Sequence, residues 1–302
     1  NQVLESKPLV SVIMNCYNGQ RYLEKAINSV IEQKYDNWEL IFWDNHSTDR
    51  SAQIFLSYDD NRFKYFYAPS HTSLYEARNY AIQKSIGKFF AFLDVDDWWL
   101  PAKLEQQLCL FEDQTVGLVY SNFYWKNEIK GIEYVAHHKQ LPSGYVLESI
   151  LDNYVVGLLT IMVRRAYYEL LEPKFNPEYN VIGDFDFVIR FAAKWRFASV
   201  QLPTAYCRWH GENLQISGVK QHLYELEQWA KYMKSNSIIA QKLEFRKFEN
   251  NIKRMKSVYE AQNGNYMHSL KSLFIISGLK NKVKIIAAIL LPRKIFANIT
   301  NR

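Results

Sequence analysis

The sequence predicts an α/β fold with a mostly parallel central sheet flanked by helices, followed by a C-terminal α-helical region. Three observations carry this. Over the first hundred or so residues, short β-branched or aromatic runs alternate with segments of helical periodicity, the pattern of βαβ units. Polar clusters close three of the strand-like runs, at 15–18, 44–49 and 94–97, where an open parallel sheet gathers its ligands. Beyond residue 220 helix follows helix and the charge changes sign. Residues 1–219 hold 21 basic and 26 acidic side chains, or −5; residues 220–302 hold 16 and 5, or +11, which together make the net +6.

Residues 9–14 form a short strand that ends in the turn-prone Asn15-Cys-Tyr-Asn-Gly19. From 21 to 33 the residues Tyr22, Leu23, Ala26, Ile27, Val30 and Ile31 recur at helical spacing. A strand at 38–43 runs into Asp44-Asn-His-Ser-Thr-Asp49, turn and cap residues from which Ser47 or Asp49 is expected to cap a helix to about 58. A strand at 63–68 follows. Ser73-Leu-Tyr-Glu76 has the capping-box pattern and opens a helix to about 85. The apolar strand 88–93 leads into Asp94-Val-Asp-Asp97, and Pro101 starts a helix to about 111. Hairpin-like pieces fill 116–141, then a strand at 159–164, a helix at 184–195 and a strand at 197–206. From 220 onward Leu223, Leu226, Ala230, Met233, Leu243, Phe248, Ile252, Met255 and Tyr259 keep helical spacing among Lys and Arg.

Several function classes drop out. GxGxxG, GxxxxGK[ST] and GxSxG patterns are absent, which speaks against a dinucleotide site, a Walker loop and a hydrolase elbow. Three scattered cysteines, Cys16, Cys109 and Cys207, suit a reducing compartment and give no zinc or disulfide spacing. The longest apolar run, 285–291, is far short of a bilayer span, and Lys7-Pro8 and Ser11 break any leader-like stretch. The expectation is a cytoplasmic protein without a nucleic-acid partner.

The run Asp94-Val-Asp96-Asp97 is the strongest chemical signal. Crowded carboxylates repel, and at a strand end they suit a hard ion such as Mg²⁺ or Mn²⁺ that shares its shell with a phosphate. A solvated acidic turn is the plain alternative. Asp44, ahead of its turn, would accept a base or ribose hydrogen bond.

Ser11-Val-Ile-Met-Asn-Cys-Tyr-Asn18, Asp44-Asn-His-Ser-Thr-Asp49, Ala77-Arg-Asn79 and Phe92-Leu-Asp-Val-Asp-Asp97 fall in order at suitable distances. Together they resemble the inverting nucleotide-sugar glycosyltransferases of family 2, which have the GT-A fold, over roughly residues 8–215. The resemblance implies a catalytic domain at 1–218, with a nucleotide-binding half at about 8–115 and an acceptor half at about 116–218, and a basic helical region at 219–302. It implies donor contacts by Asn15, Tyr17, Asp44, Arg78 and Asp94, with uracil the usual base, and a metal held on the diphosphate by Asp96. Arg78 reads equally as a structural salt bridge, and Asp97 as structural. The second motif departs from the family's Asp-Asp-Gly-Ser, which puts base recognition in question.

In Gly183-Asp184-Phe-Asp186 the resemblance implies the general base, Asp184 first and Asp186 as the alternate, with Gly183 where Glu is common. A helix cap is the other reading of Asp184. His210 and Arg208, in Tyr206-Cys-Arg-Trp-His210, match a segment that contacts the diphosphate or the metal. Trp98 and Trp99 offer a platform for a sugar face or pack in the core. The implied reaction moves a sugar from a nucleotide-diphosphate donor, UDP-sugar favoured, to a hydroxyl of a cell-surface glycan or lipid-linked acceptor, with Mn²⁺ or Mg²⁺. The competing readings are a non-catalytic nucleotide-sugar-binding or scaffolding protein and, less well matched, a nucleotidyltransferase. The basic tail reads as a surface for an anionic membrane, or as a face packed on the front domain or on a second subunit of a homo-oligomer.

Overall fold

The computed structural model describes residues 7–210, 218–236, 238–291 and 296. The chain divides into two compact units, Asn1–Ser217 and Gly218–Arg302. The first begins with β1 (Val10–Cys16), α1 (Leu23–Ile31), β2 (Trp38–Asp44), α2 (Ser51–Leu56), β3 (Phe63–Tyr67), α3 (Leu74–Gln83) and β4 (Phe89–Phe92). It continues with β5 (Trp98–Trp99), α4 (Lys103–Leu110), β6 (Val116–Asn127), β7 (Ile132–Val135) and α5 (Leu147–Asp152). β8 (Met162–Arg164), α6 (Arg165–Glu169), α7 (Gly183–Ala192) and β9 (Arg196–Trp209) complete it.

One nine-stranded sheet runs in the order β3-β2-β1-β4-β8-β6-β9-β5, with β7 paired to β6. β3, β2, β1 and β4 are parallel. β8 then lies antiparallel to β4 and β6, β9 is parallel to β6, and β5 is antiparallel to β9. The sheet is therefore parallel where the βαβ pattern is regular and mixed beyond it. A parallel neighbour needs a long crossover, whereas a three-residue antiparallel strand such as β8 does not.

Every residue of β1, β2 and β4 is buried, as expected of strands covered on both faces. α1 places Leu23, Ala26, Ile27 and Val30 on one stripe against Val10, Val12 and Met14. Trp38 and Trp99 are fully buried, and each contributes about 2–3 kcal/mol on hydrophobic grounds. α3 starts as its sequence indicates: the Ser73 side chain accepts the Glu76 N–H. The reciprocal half of the capping box is missing, because the Glu76 carboxylate accepts the Tyr80 hydroxyl at 2.9 Å. Neither Ser47 nor Asp49 caps α2, which starts at Ser51 after Arg50. Instead Ser47 Oγ accepts the Asn18 N–H and Asp49 accepts the N–H groups of Gln20 and Ser51. These bonds tie the first two strand-end loops together.

The second unit comprises α8 (Val219–Asn236), α9 (Leu243–Gln262), α10 (Tyr266–Ile275) and α11 (Leu279–Leu290). Trp229 is buried against Phe245 and Phe248, while Ile252, Ile285 and Ala288 are also buried. Much of the apolar surface of α10 and α11 faces solvent, with Phe274 92% exposed. Among the described residues no helix is long and apolar enough to cross a membrane.

Candidate functional site

Because β1, β2 and β4 are parallel and in register, their C-terminal ends meet at one edge. Cys16 pairs with Asp44, and Asn45 N–H bonds Cys16 O at 2.7 Å. Gly19 lets the first loop close on the acidic turn: a Cβ there would lie 2.8 Å from Val95 Cγ2. Asn15 is buried, and its amide nitrogen and oxygen both lack a hydrogen-bond partner among the described residues. Tyr17 is 53% exposed and lies against His71, ring centroids 4.2 Å apart. Asp44 is fully buried, with Oδ1 accepting Ser47 N–H and Oδ2 accepting the Tyr65 hydroxyl, both at 2.8 Å. His46 holds φ +70° and lies 5.3 Å from the Tyr67 ring. A non-glycine residue in that conformation costs about 1 kcal/mol or more.

The acidic turn after β4 is shared by three neighbours. Arg78, 1% exposed on α3, bonds Asp94 Oδ1 through Nη2 at 2.8 Å, and its Nη1 is buried with no partner among the described residues. Orphaned buried donors are rare, and this one can still take an acceptor, a water or an anionic group. Asp96 Oδ2 lies 3.1 Å from His210 Nε2, and the His210 ring sits 4.8 Å from Tyr22. Asp97 is buried and accepts the Arg208 N–H at 2.8 Å. Arg208 is engaged throughout: Nε donates to Asp96 O, the guanidinium pairs with Glu128, and it lies over Tyr22 and Trp98.

Burial, then the Asp94 charge, pushes the Asp96 carboxyl above the usual carboxylate range; burial and the Asp96 charge push Asp97 well above it. The oxygen donors and the charge crowding fit a hard divalent cation, which takes one or two carboxylates and completes its shell with water and phosphate. Among the described residues no three His, Cys, Asp or Glu side chains converge as a cage.

Asp184 lies in the first turn of α7 and is not its cap, since Ile182 occupies that position. Burial raises its pKa, opposed by the Phe185 N–H and the Arg78 charge. The Tyr75 hydroxyl is 3.3 Å from Asp184 Oδ1 and 3.1 Å from Val181 O. Asp186 is 2% exposed and bonds the Arg190 guanidinium at 2.7 to 3.0 Å; this ion pair sets it in the α7 packing. Asp184, Arg78, Asp94, Asp96 and His210 thus form one run of neighbours, with Asn15, Tyr17 and Asp44 along the β1–β2 edge.

Trp99 is core, with Nε1 donating to Leu159 O. Trp98 stacks on Tyr206 at 4.7 Å with Lys25 Nζ 3.4 Å from its ring centre. Burial raises the thiol pKa of Cys16 to about 11 and pushes that of Cys207 well above its ordinary value, so neither is a ready nucleophile. Tyr75 went unmarked in the sequence because a tyrosine in a first helical turn reads as packing. Its only sequence trace is the missing side chain at Gly183.

The profile of glycosyl transferase family 2 matches residues 11–171. The chain is 32% identical over 162 residues to the putative teichuronic acid biosynthesis glycosyltransferase TuaG of Bacillus subtilis, covering 53% of this chain and 63% of that protein. It is 34% identical over 167 residues, 55% of this chain and 62% of that protein, to the Escherichia coli UDP-Glc:alpha-D-GlcNAc-diphosphoundecaprenol beta-1,3-glucosyltransferase WfgD. The chain therefore spans under two thirds of those relatives. In fold it is similar to Staphylococcus aureus TarS 1-349 in complex with UDP-GlcNAc (TM-score 0.63, 16% identity, 93% and 81% of the two chains). It is also similar to the Pyrobaculum calidifontis mannosyltransferase PcManGT in complex with GDP-Man and Mn²⁺ (TM-score 0.63, 15% identity, 98% and 84%).

Proposed function

The chain belongs to glycosyl transferase family 2, and from that premise we propose that it transfers a sugar, with inversion, from a UDP-sugar to a hydroxyl of a lipid-linked or cell-surface glycan. The observation that supports this most is the buried Arg78, whose Nη2 holds Asp94 while Nη1 has no partner among the described residues. A donor diphosphate at the strand ends would supply the missing acceptor. In this reading residues 1–218 are the catalytic domain. Asn15 and Tyr17 receive the nucleoside, and the buried Asp44 backs that edge by holding the Ser47 turn and Tyr65. Arg78 and Asp94 orient the diphosphate side, and Asp96, with His210 beside it, would hold Mn²⁺ or Mg²⁺. When bound, the cation supplies charge neutralisation to the leaving diphosphate.

Asp184 takes the proton of the attacking acceptor hydroxyl. Its burial raises its basicity toward the value the task needs. Asp186, held by Arg190, serves packing. The similar WfgD is named for UDP-Glc and a diphosphoundecaprenol acceptor, which supports the same donor and acceptor classes here. Thermal-shift titration with UDP, GDP, CMP and dTDP, with and without Mn²⁺, tests the reading. UDP with Mn²⁺ is expected to give the largest shift, and no shift with any nucleotide would remove the donor site.

A lipid-linked acceptor calls for a surface that meets a membrane. In the second unit Met267, Leu270, Phe274, Leu279, Val283 and Leu290 are exposed, among Lys271, Lys280, Lys282 and Lys284, and residues 261–302 contain no Asp or Glu. Exposed apolar side chains ringed by lysine match an anionic bilayer, each cation adding about 1 kcal/mol near the surface. In this reading the protein works at the inner face of the membrane, and the exposed apolar and lysine side chains support it. Pelleting with phosphatidylglycerol vesicles is expected for the whole chain and to be lost in Phe274→Asp/Leu279→Asp. Equal pelleting of that variant would leave the face to solvent or to a second subunit.

A further inference from the structure

We infer that Tyr75 is the positioning residue for Asp184, and that Tyr75 and Gly183 work as one device in which an absent side chain admits the ring that holds the carboxylate. The inference rests on the reading of Asp184 as the base and adds to it the group that orients that base.

Gly183 is the first residue of α7 and is buried. A Cβ built there would lie 2.5 Å from Tyr75 Cδ2 and Cε2 and 2.7 Å from Cγ. Such distances are inside any carbon–carbon contact, so any other residue at 183 must displace the ring. The ring has little room to give. Tyr75 is 3% exposed, stacks on Phe175 at 6.0 Å, and has the Arg78 guanidinium 5.4 Å from its centre. α3 therefore presents two consecutive-turn groups to the site: Tyr75 toward Asp184, and Arg78 toward Asp94.

The phenol has one proton and two acceptors in reach, Val181 O at 3.1 Å and Asp184 Oδ1 at 3.3 Å. When Asp184 is ionised, the O–H turns to the carboxylate, because a charged acceptor makes the stronger bond. When Asp184 has taken up a proton, the O–H returns to Val181 O and the phenol oxygen accepts from the carboxyl. Burial keeps the Tyr75 proton in place, its pKa lying well above the ordinary value, so Tyr75 orients the base without replacing it. The other groups facing Asp184 are Arg78 on α3, Asp94 in the acidic turn, Tyr154 after α5, and the Phe185 N–H of α7 itself. Of these, Tyr75 alone joins the carboxylate to the contact at Gly183.

Tyr75→Phe keeps the ring and removes only the O–H. In the whole chain labelled with ¹³C at Asp carboxyls, the resonance lost in Asp184→Asn identifies Asp184, and its titration is followed in both backgrounds. Tyr75→Phe is expected to raise that pKa by about 0.5 to 1 unit, since a bond to the charged form is lost. The acid limb of Mn²⁺-dependent UDP-glucose turnover is expected to move up with it, with UDP affinity unchanged. A wild-type titration in Tyr75→Phe overturns the inference. Gly183→Ala is expected to lower both the thermal midpoint and turnover, the latter roughly tenfold or more. In a Tyr75→Ala background the same Gly183→Ala change should cost much less of the midpoint than it does in the wild type, because the ring it strikes is gone; an equal cost in both backgrounds would overturn the clash. Wild-type behaviour of Gly183→Ala alone would also overturn it. Turnover retained in Asp184→Asn would sink the base assignment instead, while the carboxyl titration still decides the Tyr75 bond.

Discussion

Replacing Arg78 with methionine separates a donor-binding cation from a structural one. Arg78 is 1% exposed, makes one ion pair to Asp94, whose side chain is 37% exposed, and leaves Nη1 without a partner among the described residues. Losing the charged bond to a partly solvated carboxylate costs about 1–2 kcal/mol. Removing the orphaned buried donor returns about 1–3 kcal/mol, and an apolar side chain of similar volume fills the space. The two nearly cancel, so the ligand-free protein should change by no more than about 1 kcal/mol, or about 2–4 °C in thermal midpoint for a unit of this size. Affinity for UDP should behave differently. A charge-assisted bond to an anion is worth about 1.5–3 kcal/mol, so Kd should rise roughly 10- to 150-fold. Thermal unfolding without ligand and calorimetric titration with UDP and Mn²⁺ give the two numbers. A midpoint lowered by far more than these few degrees, together with an unchanged Kd, would make Arg78 a structural ion pair and refute the argument.

Three further outcomes are expected. Asp184→Asn should lower turnover by about 10² to 10⁴ with UDP binding retained, as measured by UDP release and titration. Asp96→Asn should remove the Mn²⁺-dependent part of UDP binding, seen as equal Kd values with and without the metal. Lys103→Met should raise the thermal midpoint at pH 7. The Lys103 amine is fully buried, bonds Gln107 Oε1 at 2.7 Å, and is pushed well below its ordinary pKa by burial. Between the folded value and 10.5 the unfolded chain binds more protons, so wild-type stability rises with pH across that window. The methionine gain should shrink accordingly as unfolding is measured nearer pH 10; a gain independent of pH would mean the amine is not the cause.

The parallel half of the sheet was legible because β1, β2 and β4 are continuous apolar runs and α1 carries a clear apolar stripe. The mixed half was not. β5 is only Trp98–Trp99, and β8 is three residues with a 3₁₀ turn at Leu158–Thr160 just before it; pieces this short have no period to read. At the site, the sequence named the carboxylates and Arg78 but not their partners. Asp186 and Asp184 look alike as letters; Arg190, one helical turn on, engages the first, and Tyr75, 109 residues earlier, engages the second. Asp44 was marked for a base, yet its buried oxygens already accept Ser47 N–H and the Tyr65 hydroxyl, a partnership set by the neighbouring strand β3 and invisible in the local motif.

The bond from Arg208 N–H to Asp97, with Arg208 Nε on Asp96 O, has a consequence for how ligand arrival would be detected. The acidic turn is clamped to the far end of β9, so anything that tightens the turn also tightens that strand end. The Arg208 amide becomes a built-in gauge: its exchange with deuterated water should slow when UDP and Mn²⁺ are added, reporting on the acidic turn from a residue 112 positions downstream of Asp96.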